Sequence, residues 1–415
     1  MSMEVKVGAK KSFLRTVDKK LLASVLFLIL IGIYSIFSNY LNSETLIPFQ
    51  KHLTYVSWGI ILMFAVAFMP EQWIRSIAFP FYIITTLLLI AVLIFGVEIN
   101  GTKGWLRIAG YSFQPSEFAK LAVILASSAF LSIPGVSLKN IRGLGTLFVI
   151  FLLPLIFIVL QPDFGTAIIL LTIFWGILFW SDFNLNILLA LLGFPFVLLF
   201  YLKGIFEFIV VLTIFSALIF YVNKRKFVVS IITIALVVVL SLGTKDLINH
   251  LPKHQQERIS AFVDPSRSPL KESYNMIQSI LAVGSGGLFG KGPFSGTQTQ
   301  LKYVYAQSSD FVFSIPAEEF GFVGSVAIVI AFFVLISRVV RIGTETGSPF
   351  LRYIILSYAT LLFVHFAENL GMAMGLFPVM GIPLPFVSSG GSFFLVNSFL
   401  VGVALNAYRK KFKDV

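Results

Sequence analysis

Long apolar runs of about membrane-spanning length dominate the pattern of hydrophobic and polar positions along the chain. They lie near residues 21–38, 53–69, 76–96, 117–132, 143–160, 164–181, 184–202, 204–222, 227–243, 319–338, 353–372 and 391–408. A helix needs about 20 apolar residues to cross a hydrocarbon core of about 30 Å. The pattern therefore predicts an all-α polytopic membrane protein with about twelve transmembrane helices, of which 117–132 is the weakest prediction.

The composition agrees with this pattern. Of the 415 residues 57% are hydrophobic and 12% are charged, and the mean hydropathy is +0.93. Soluble proteins carry about 25% charged residues and disordered chains are poor in apolar ones, so both classes are excluded. The chain has no cysteine and only four scattered histidines, so neither a thiol nucleophile nor a metal site is predicted.

The basic residues predict the topology. The net charge is +12, and in membrane proteins Lys and Arg gather in the cytoplasmic loops, so membrane lipids rather than nucleic acid are the expected partners. With twelve spans, nineteen basic residues lie in inner loops and tails and four in short outer loops. We predict a cytoplasmic basic tail over 1–20, one integral membrane domain over 21–408, and a second cytoplasmic basic tail over 409–415.

A long polar segment at about 244–318 interrupts the apolar pattern and is predicted to lie outside. Loops of this length are usually functional or disordered, and the many aromatic side chains here favour a structured loop. The apolar stretch 274–283 is too short to span and predicts a re-entrant or interfacial helix. The glycines of 284–292 do not fit a nucleotide-binding loop, because Gly292 follows Lys291; they indicate tight turns and close backbone approach.

Few charged residues lie in or beside the predicted spans, where charge is costly and is by default a functional hypothesis. Glu117 and Lys120 are three residues apart and share a helix face. They form either a self-neutralising interfacial pair, with Lys120 directed outward, or an ammonium held for a substrate phosphate. Asp163 and Asp310 each precede a predicted helix, which they could cap; Asp310 could instead be a general base at the mouth of a cavity.

Further candidate substrate-binding residues come from the long loop and the C-terminal region. Arg258, Lys291 and Gln298 lie in the loop, and Ser392 ends a stretch, 378–392, that is rich in proline and glycine. Proline and glycine at membrane depth mark broken helices that line cavities. We therefore add these four residues to Asp163 as candidate substrate-binding residues.

Six motifs, in order along the chain, resemble the SEDS family of shape, elongation, division and sporulation proteins. They are QPSEFAK (114–120), QPDFGT (161–166), QSILAVGSGGLFGKG (278–292), GTQTQ (296–300), DFVFSIPAEEFGFVG (310–324) and GIPLPFVSSGGS (381–392). The glycine-rich motif and the PLP tripeptide resemble the RodA-like branch more than the FtsW-like branch. The resemblance extends from the first predicted span to the last and implies a SEDS-type helical bundle.

The resemblance implies a peptidoglycan glycosyltransferase of cell elongation and cell shape. Such enzymes polymerise lipid II, a disaccharide-pentapeptide on undecaprenyl pyrophosphate, at the outer face of the cytoplasmic membrane, with a class B penicillin-binding protein as partner. The family's essential aspartate matches Asp310, and its lysine and glutamate match Lys120 and Glu117. Asp310 would be the general base. Lys120, Arg258 or Lys291 would stabilise the departing pyrophosphate, or Lys120 would orient Asp310. No organic cofactor is implied, and a divalent cation held by the pyrophosphate stays open.

The chain departs from the family pattern in two ways. Residues 304–309, before Asp310, lack the proline, the charged residues and the histidine that are usual there, and the usual SYGGS is SSGGS at 388–392. The usual ten spans have two between QPDFGT and Arg258, where this chain has room for four, so we predict an extra helix pair within 184–243.

A lipid-precursor flippase and a non-catalytic scaffold are the alternative functions. A transporter commonly has inverted repeats and charges near the bilayer midplane. Here the charged candidates gather at the predicted outer mouth and the sequence has no evident repeat. A scaffold would tolerate loss of Asp310.

Overall fold

The structure is a computed structural model and describes residues 17–41, 43, 45–99, 102–108, 111–181, 183, 185–223, 227–248, 256, 262–263 and 273–410. Within these residues the helices are α1 (Lys19–Tyr40), α2 (Ile47–Phe68), α3 (Glu71–Phe95), α4 (Pro115–Leu131), α5 (Ile141–Leu160), α6 (Phe164–Trp180), α7 (Leu185–Lys203), α8 (Ile205–Val222), α9 (Phe227–Ile248), α10 (Tyr274–Ser285), α11 (Thr297–Gln300), α12 (Ser314–Glu345), α13 (Pro349–Ala373) and α14 (Gly391–Lys410).

Every apolar run of the sequence coincides with one of these helices, 117–132 included. By length and composition, eight helices in the described part of the chain could cross a membrane: α1, α2, α3, α5, α8, α12, α13 and α14. Two further apolar helices, over Phe164–Trp180 and Phe227–Gly243, are shorter. The predicted all-α polytopic membrane fold is confirmed, whereas the number of helices that span stays a prediction.

A small antiparallel sheet between α3 and α4 was not predicted. It consists of β1 (Val97–Ile99), β2 (Thr102–Ile108) and β3 (Tyr111–Phe113), in that order. Val97 pairs with Trp105, and Leu106 pairs with Phe113. The sequence carried a signal for it, because Asn100-Gly101 is a typical hairpin dipeptide between two strand-forming segments.

The centre of the bundle is formed by α4, α13 and α14, which are buried around most of their circumference. The peripheral helices expose large apolar side chains instead, for example Trp73 and Ile83 on α3 and Phe206 on α8. A helix that is apolar all round is typical of a protein core or a membrane span. The exposed apolar surface of this bundle therefore suits contact with lipid.

Helices α7, α8 and α9 pack on one another around a small core of their own, formed by Ala190, Val197, Phe208 and Val237. This group contains the segment 184–243, where the extra helix pair was predicted. All three predicted helices of that segment are present. Which two are additional to the family pattern stays a prediction.

Helix α12 is interrupted near its start, and the glycine-rich stretch 284–292 forms hydrogen bonds with the backbone on both sides of the interruption. Gly321 has φ 64° and ψ −153°, which are not helical angles. The amides of 322–323 donate to the carbonyls of 287–288, at 2.8 and 3.1 Å. The amides of 291–292 donate to the carbonyls of 318–319, at 3.0 and 3.1 Å. The loop backbone thus supplies partners that a continuous helix would have provided.

This contact explains why the stretch is rich in glycine. Gly290 has φ +82°, and a Cβ at that position would lie 2.1 Å from the carbonyl oxygen of Glu319. At Gly286 a Cβ would lie 2.2 Å from the carbonyl oxygen of Ala317. Only residues without a side chain permit two backbones to approach so closely. The predicted role of these glycines in tight turns and close backbone approach is confirmed.

Ion pairs join the helix ends at one end of the bundle. Arg338 pairs with Asp18, with Nε 3.0 Å from Oδ2, and Lys410 pairs with Glu71. Lys410 ends α14, and Ser392 lies in its first turn. At 1.5 Å per residue these two are about 27 Å apart along the helix. Arg338 and Lys410, two of the basic residues predicted to be cytoplasmic, therefore lie at the end of the bundle opposite to Ser392.

Candidate functional site

A cavity of about 220 Å³ lies at the end of the bundle that carries Ser392. Its walls come from β2, the first turns of α4, α6 and α14, the middle of α13, and the turn before α12. Five of the eight predicted site residues line it: Glu117, Lys120, Asp163, Asp310 and Ser392. These residues are far apart in the sequence, and the fold alone brings them together.

Glu117 and Lys120 form a buried ion pair in the cavity wall. The Lys120 ammonium lies 2.8 Å from both carboxylate oxygens of Glu117, and the two side chains are only 2% and 6% exposed. The ammonium also lies 5.4 Å from the centre of the Phe393 ring. The predicted pairing is confirmed, but Lys120 is buried beside the cavity and is not directed outward.

Asp163 joins the starts of two helices. Its Oδ1 accepts from the Thr166 amide at 3.1 Å, which caps α6 as the sequence suggested. Its Oδ2 accepts from Gln114 Nε2 at 3.0 Å, from Ser116 Oγ at 3.1 Å and from Thr166 Oγ1 at 2.9 Å. The carboxylate is therefore occupied in positioning α4 and α6 at the edge of the cavity. Ser392 joins α14 to the start of α4, because its Oγ accepts a hydrogen bond from the Gln114 amide at 3.2 Å.

Asp310 lies in the turn before α12, where its main chain is held on both sides. Its amide donates to the Ala306 carbonyl at 3.1 Å. Asn369 Nδ2 donates to the Asp310 carbonyl at 2.7 Å and to the Ile382 carbonyl at 2.8 Å. Gly381 borders the carboxylate, because a Cβ at that position would lie 3.6 Å from Asp310 Oδ2, an ordinary van der Waals contact. Asp310 thus presents a positioned carboxylate to the cavity.

The two stretches that depart from the SEDS pattern contact each other. Ser389 donates to the Ser308 carbonyl through its amide at 2.8 Å and through its hydroxyl at 2.7 Å. The Ser388 hydroxyl donates to the Ser309 carbonyl at 2.5 Å. Residues 308–309 immediately precede Asp310, so the SSGGS sequence directly supports the backbone that carries this aspartate.

Lys291 and Gln298 do not line the cavity. Lys291 Nζ lies 2.6 Å from Glu318 Oε1, and the Gln298 amide donates to the same oxygen at 2.9 Å. Glu318 Oε2 accepts from the amide and the hydroxyl of Thr299, both at 2.9 Å. A buried carboxylate requires such donors, so the structure places Lys291 and Gln298 at the loop–helix contact. The third loop candidate, Arg258, lies outside the described residues.

Glu319, which was not predicted to have a role, ties the long loop to α1. Its side chain is fully buried. It accepts from Tyr34 Oη and from Ser38 Oγ at 2.7 Å, both on α1, and from the Phe294 amide and Gln300 Nε2, both at 3.1 Å. Glu318 and Glu319, which lie eight and nine residues after Asp310, therefore hold the loop against the first turns of α12 and against α1.

His365 also lines the cavity and was not predicted. It lies on α13, is 1% exposed, and its Nδ1 is 2.9 Å from the Pro383 carbonyl oxygen. Its ring packs on Phe393 with centroids 4.9 Å apart. The sequence carries one signal for it, a histidine within the apolar run 353–372. In the part of the chain that the structure describes, no group of three or more His, Asp or Glu is arranged to hold a metal.

Comparison with known proteins agrees with this arrangement. The family model of the FtsW, RodA and SpoVE cell cycle proteins matches residues 15–208 and 196–413. The chain belongs to the FtsW/RodA/SpoVE family. The SEDS resemblance of the motifs is thereby confirmed. The family match divides at 196–208, within the region where the extra helix pair was predicted.

Curated relatives of the FtsW/RodA/SpoVE family align over most of the chain. The peptidoglycan glycosyltransferase RodA of Treponema pallidum is 33% identical over 407 residues, which cover 90% of this chain and 93% of that protein. The peptidoglycan glycosyltransferase MrdB of Escherichia coli K12 is 30% identical over 363 residues, which cover 87% of this chain and 86% of that protein.

Two solved structures share the fold of this family member. One is a chain of a peptidoglycan synthase complex, with a TM-score of 0.70 and 26% identity, covering 96% of this chain and 99% of that one. The other is Thermus thermophilus RodA, with a TM-score of 0.64 and 23% identity, covering 95% and 98%. The second likeness supports the fold alone.

Proposed function

We propose that this chain is a peptidoglycan glycosyltransferase that polymerises lipid II during cell elongation and cell-shape maintenance. The observation that carries the proposal is the cavity that both Asp310 and the buried Glu117–Lys120 pair line, in a chain of the FtsW/RodA/SpoVE family. The names of the Treponema and Escherichia relatives support the same activity.

The reaction transfers a glycosyl group from a pyrophosphate to a sugar hydroxyl. The hydroxyl oxygen attacks the anomeric carbon, the bond from that carbon to the pyrophosphate oxygen breaks, and the hydroxyl proton passes to the Asp310 carboxylate. A carboxylate within reach of the hydroxyl is a competent general base. Because this scheme is a single displacement, it inverts the configuration at the anomeric carbon.

Lys120 has donor capacity left for the substrate. An ammonium has three N–H donors, and Glu117 lies within reach of two of them at most. A remaining N–H can donate to a pyrophosphate oxygen as negative charge develops there. The same ammonium can orient Asp310, and both roles require Lys120 to be held where the structure has it. Any divalent cation would come with the pyrophosphate.

We propose that the protein is a multi-pass protein of the cytoplasmic membrane, with both termini in the cytoplasm and the cavity at the outer face. The charge distribution supports this orientation, because Arg409 and Lys410, two of the predicted inner basic residues, lie at the end of α14 opposite to Ser392. A class B penicillin-binding protein is the proposed partner. Its support is the structural neighbour, which is described as coordinating polymerization and crosslinking in a peptidoglycan synthase complex.

Polymerisation of fluorescent lipid II by the purified protein tests the proposal. The assay is run with and without the cognate penicillin-binding protein, itself disabled in any glycosyltransferase activity. We expect long glycan strands from the wild type and none from Asp310→Asn, which is nearly isosteric. The control is Glu345→Gln, the same change of carboxylate to amide at a side chain 37% exposed at the opposite end, and it should retain activity.

Three results would contradict the proposal in different ways. Glycan strands from Asp310→Asn would remove Asp310 as the base. No strands from the wild type, with lipid II crossing proteoliposome membranes, would support the flippase alternative. The scaffold alternative would be supported if the wild type neither made strands nor moved lipid II across the membrane, and if Asp310→Asn still fully supported the partner's crosslinking activity.

A further inference from the structure

His365 presents an unpaired nitrogen in the wall of the cavity. The side chain is 1% exposed, yet it lines the cavity, and its Nε2 has no hydrogen-bond partner among the described residues. Buried polar atoms in native proteins are nearly always hydrogen-bonded. An unpaired atom beside a cavity of this kind therefore points to a partner that the cavity receives.

The other ring nitrogen determines what Nε2 can do. Nδ1 lies 2.9 Å from the Pro383 carbonyl oxygen, which can only accept a hydrogen bond. Nδ1 must therefore carry the proton, and in the neutral imidazole Nε2 presents a lone pair. The ring is held by this bond and by its contact with Phe393. The lone pair is thus a positioned acceptor.

The chemistry of the proposed substrate then determines which of its groups can donate a hydrogen bond to the lone pair of Nε2. Pyrophosphate oxygens are acceptors and cannot donate to a lone pair. Sugar hydroxyls and acetamido N–H groups are donors. Both oxygens of Asp163 accept hydrogen bonds from protein groups, and both oxygens of Glu117 lie 2.8 Å from the Lys120 ammonium. The lone pair of His365 Nε2 has no hydrogen-bond partner among the described residues.

We propose that His365 is a substrate-binding residue whose Nε2 accepts a hydrogen bond from a sugar hydroxyl or acetamido N–H of the bound glycan. This inference rests on the proposed glycosyltransferase function and names a group that recognises the sugar. Its competitor is a purely structural role, in which the ring only anchors the Pro383 carbonyl and with it the stretch 381–392.

Two substitutions separate these roles. The amide of His365→Asn takes the place of Nδ1 and can still donate to Pro383, but it leaves no acceptor where Nε2 was. The longer side chain of His365→Gln places its amide near Nε2, where its oxygen can accept. If His365 binds the sugar, Gln should rescue function better than Asn. If it only anchors Pro383, Asn should be the better replacement.

Steady-state polymerisation and direct binding provide the readouts. We expect His365→Asn to lower kcat/KM about tenfold, which corresponds to about 1.4 kcal/mol, the scale of one hydrogen bond. We expect His365→Gln to retain more than half of the wild-type value. The matched control is His52→Asn. Like His365, His52 is buried, at 3% exposed, and has an unpaired Nε2, but it lies on α2 and does not line the cavity. It should leave kcat/KM within about twofold of wild type.

Binding to inactive protein distinguishes failure of this inference from failure of the proposed function. In an Asp310→Asn background, adding His365→Asn should raise the Kd for fluorescent lipid II about tenfold, whether or not the wild type polymerises. An unchanged Kd, or better function with Asn than with Gln, would overturn the inference. A wild type that makes no glycan would overturn the proposed function alone.

Discussion

Replacing Lys120 with methionine leaves the Glu117 carboxylate buried without its cation. The two charges lie 2.8 Å apart, with side chains 2% and 6% exposed. At an effective dielectric constant of about 20, unit charges at that distance attract by about 6 kcal/mol. Much of that attraction offsets the loss of hydration, and removing one partner of a buried pair typically costs about 3–5 kcal/mol. We expect Lys120→Met to destabilise the protein by that amount.

The double variant Glu117→Gln/Lys120→Met separates stability from function. It leaves no charge at the position of this pair, and replacing a whole buried pair is often neutral for stability. We therefore expect it to recover most of the loss of Lys120→Met while it remains unable to polymerise lipid II. This outcome would assign the ammonium a role in the reaction beyond pairing with Glu117.

Thermal unfolding in detergent, followed by intrinsic fluorescence, measures the change in stability. Glycan polymerisation measures the change in activity. The apparent midpoint of Lys120→Met should fall by roughly 5–10 °C. The control is Lys410→Met, which breaks the pair of the 41% exposed Lys410 with Glu71 and should cost less than about 1 kcal/mol. Recovery of both stability and polymerisation by the double variant would refute the reasoning, because Lys120 would then serve only to neutralise Glu117.

Two further predictions concern the loop and the topology. Gly290→Ala should destabilise the protein by about 1–3 kcal/mol and lower activity, because φ is +82° and the Cβ would lie 2.1 Å from the Glu319 carbonyl oxygen. Gly284→Ala, whose Cβ meets nothing within 4 Å, is the matched control, and equal unfolding midpoints would contradict the account of the glycine-rich stretch. Reporter fusions at 223–226, between α8 and α9, should report a cytoplasmic location; a periplasmic signal would rule out the twelve-span topology.

Local pattern was sufficient to predict the helices. In a bilayer each span must satisfy its own backbone hydrogen bonds, so a long apolar run has little alternative to a helix. Even 117–132, the weakest run, is the helix α4. The sheet over β1–β3 was not predicted, because β1 and β3 have only three residues each and are too short to give an alternating apolar pattern. The hairpin dipeptide Asn100-Gly101 is its one local signal.

The motifs predicted the identity of several cavity residues but not their arrangement. Asp310, Glu117 and Lys120 line one cavity, as the resemblance led us to expect. Lys291 resembled a phosphate ligand in sequence, but the buried carboxylate of Glu318 holds it elsewhere. No local sequence pattern shows whether Lys291 faces the cavity or pairs with a carboxylate, because Glu318 is 27 residues away in the sequence.

By itself, the sequence determined the membrane class, the helical segments, the family and the chemical groups available. These follow from composition, from local periodicity and from motifs within a few residues of one another. Only the tertiary structure decided that Ser388 and Ser389 support the turn before Asp310, that Glu319 ties the loop to α1, and that His365 presents a free lone pair to the cavity. The reason is physical: each buried polar group must find a partner, and which partner lies within 3 Å depends on how distant segments pack.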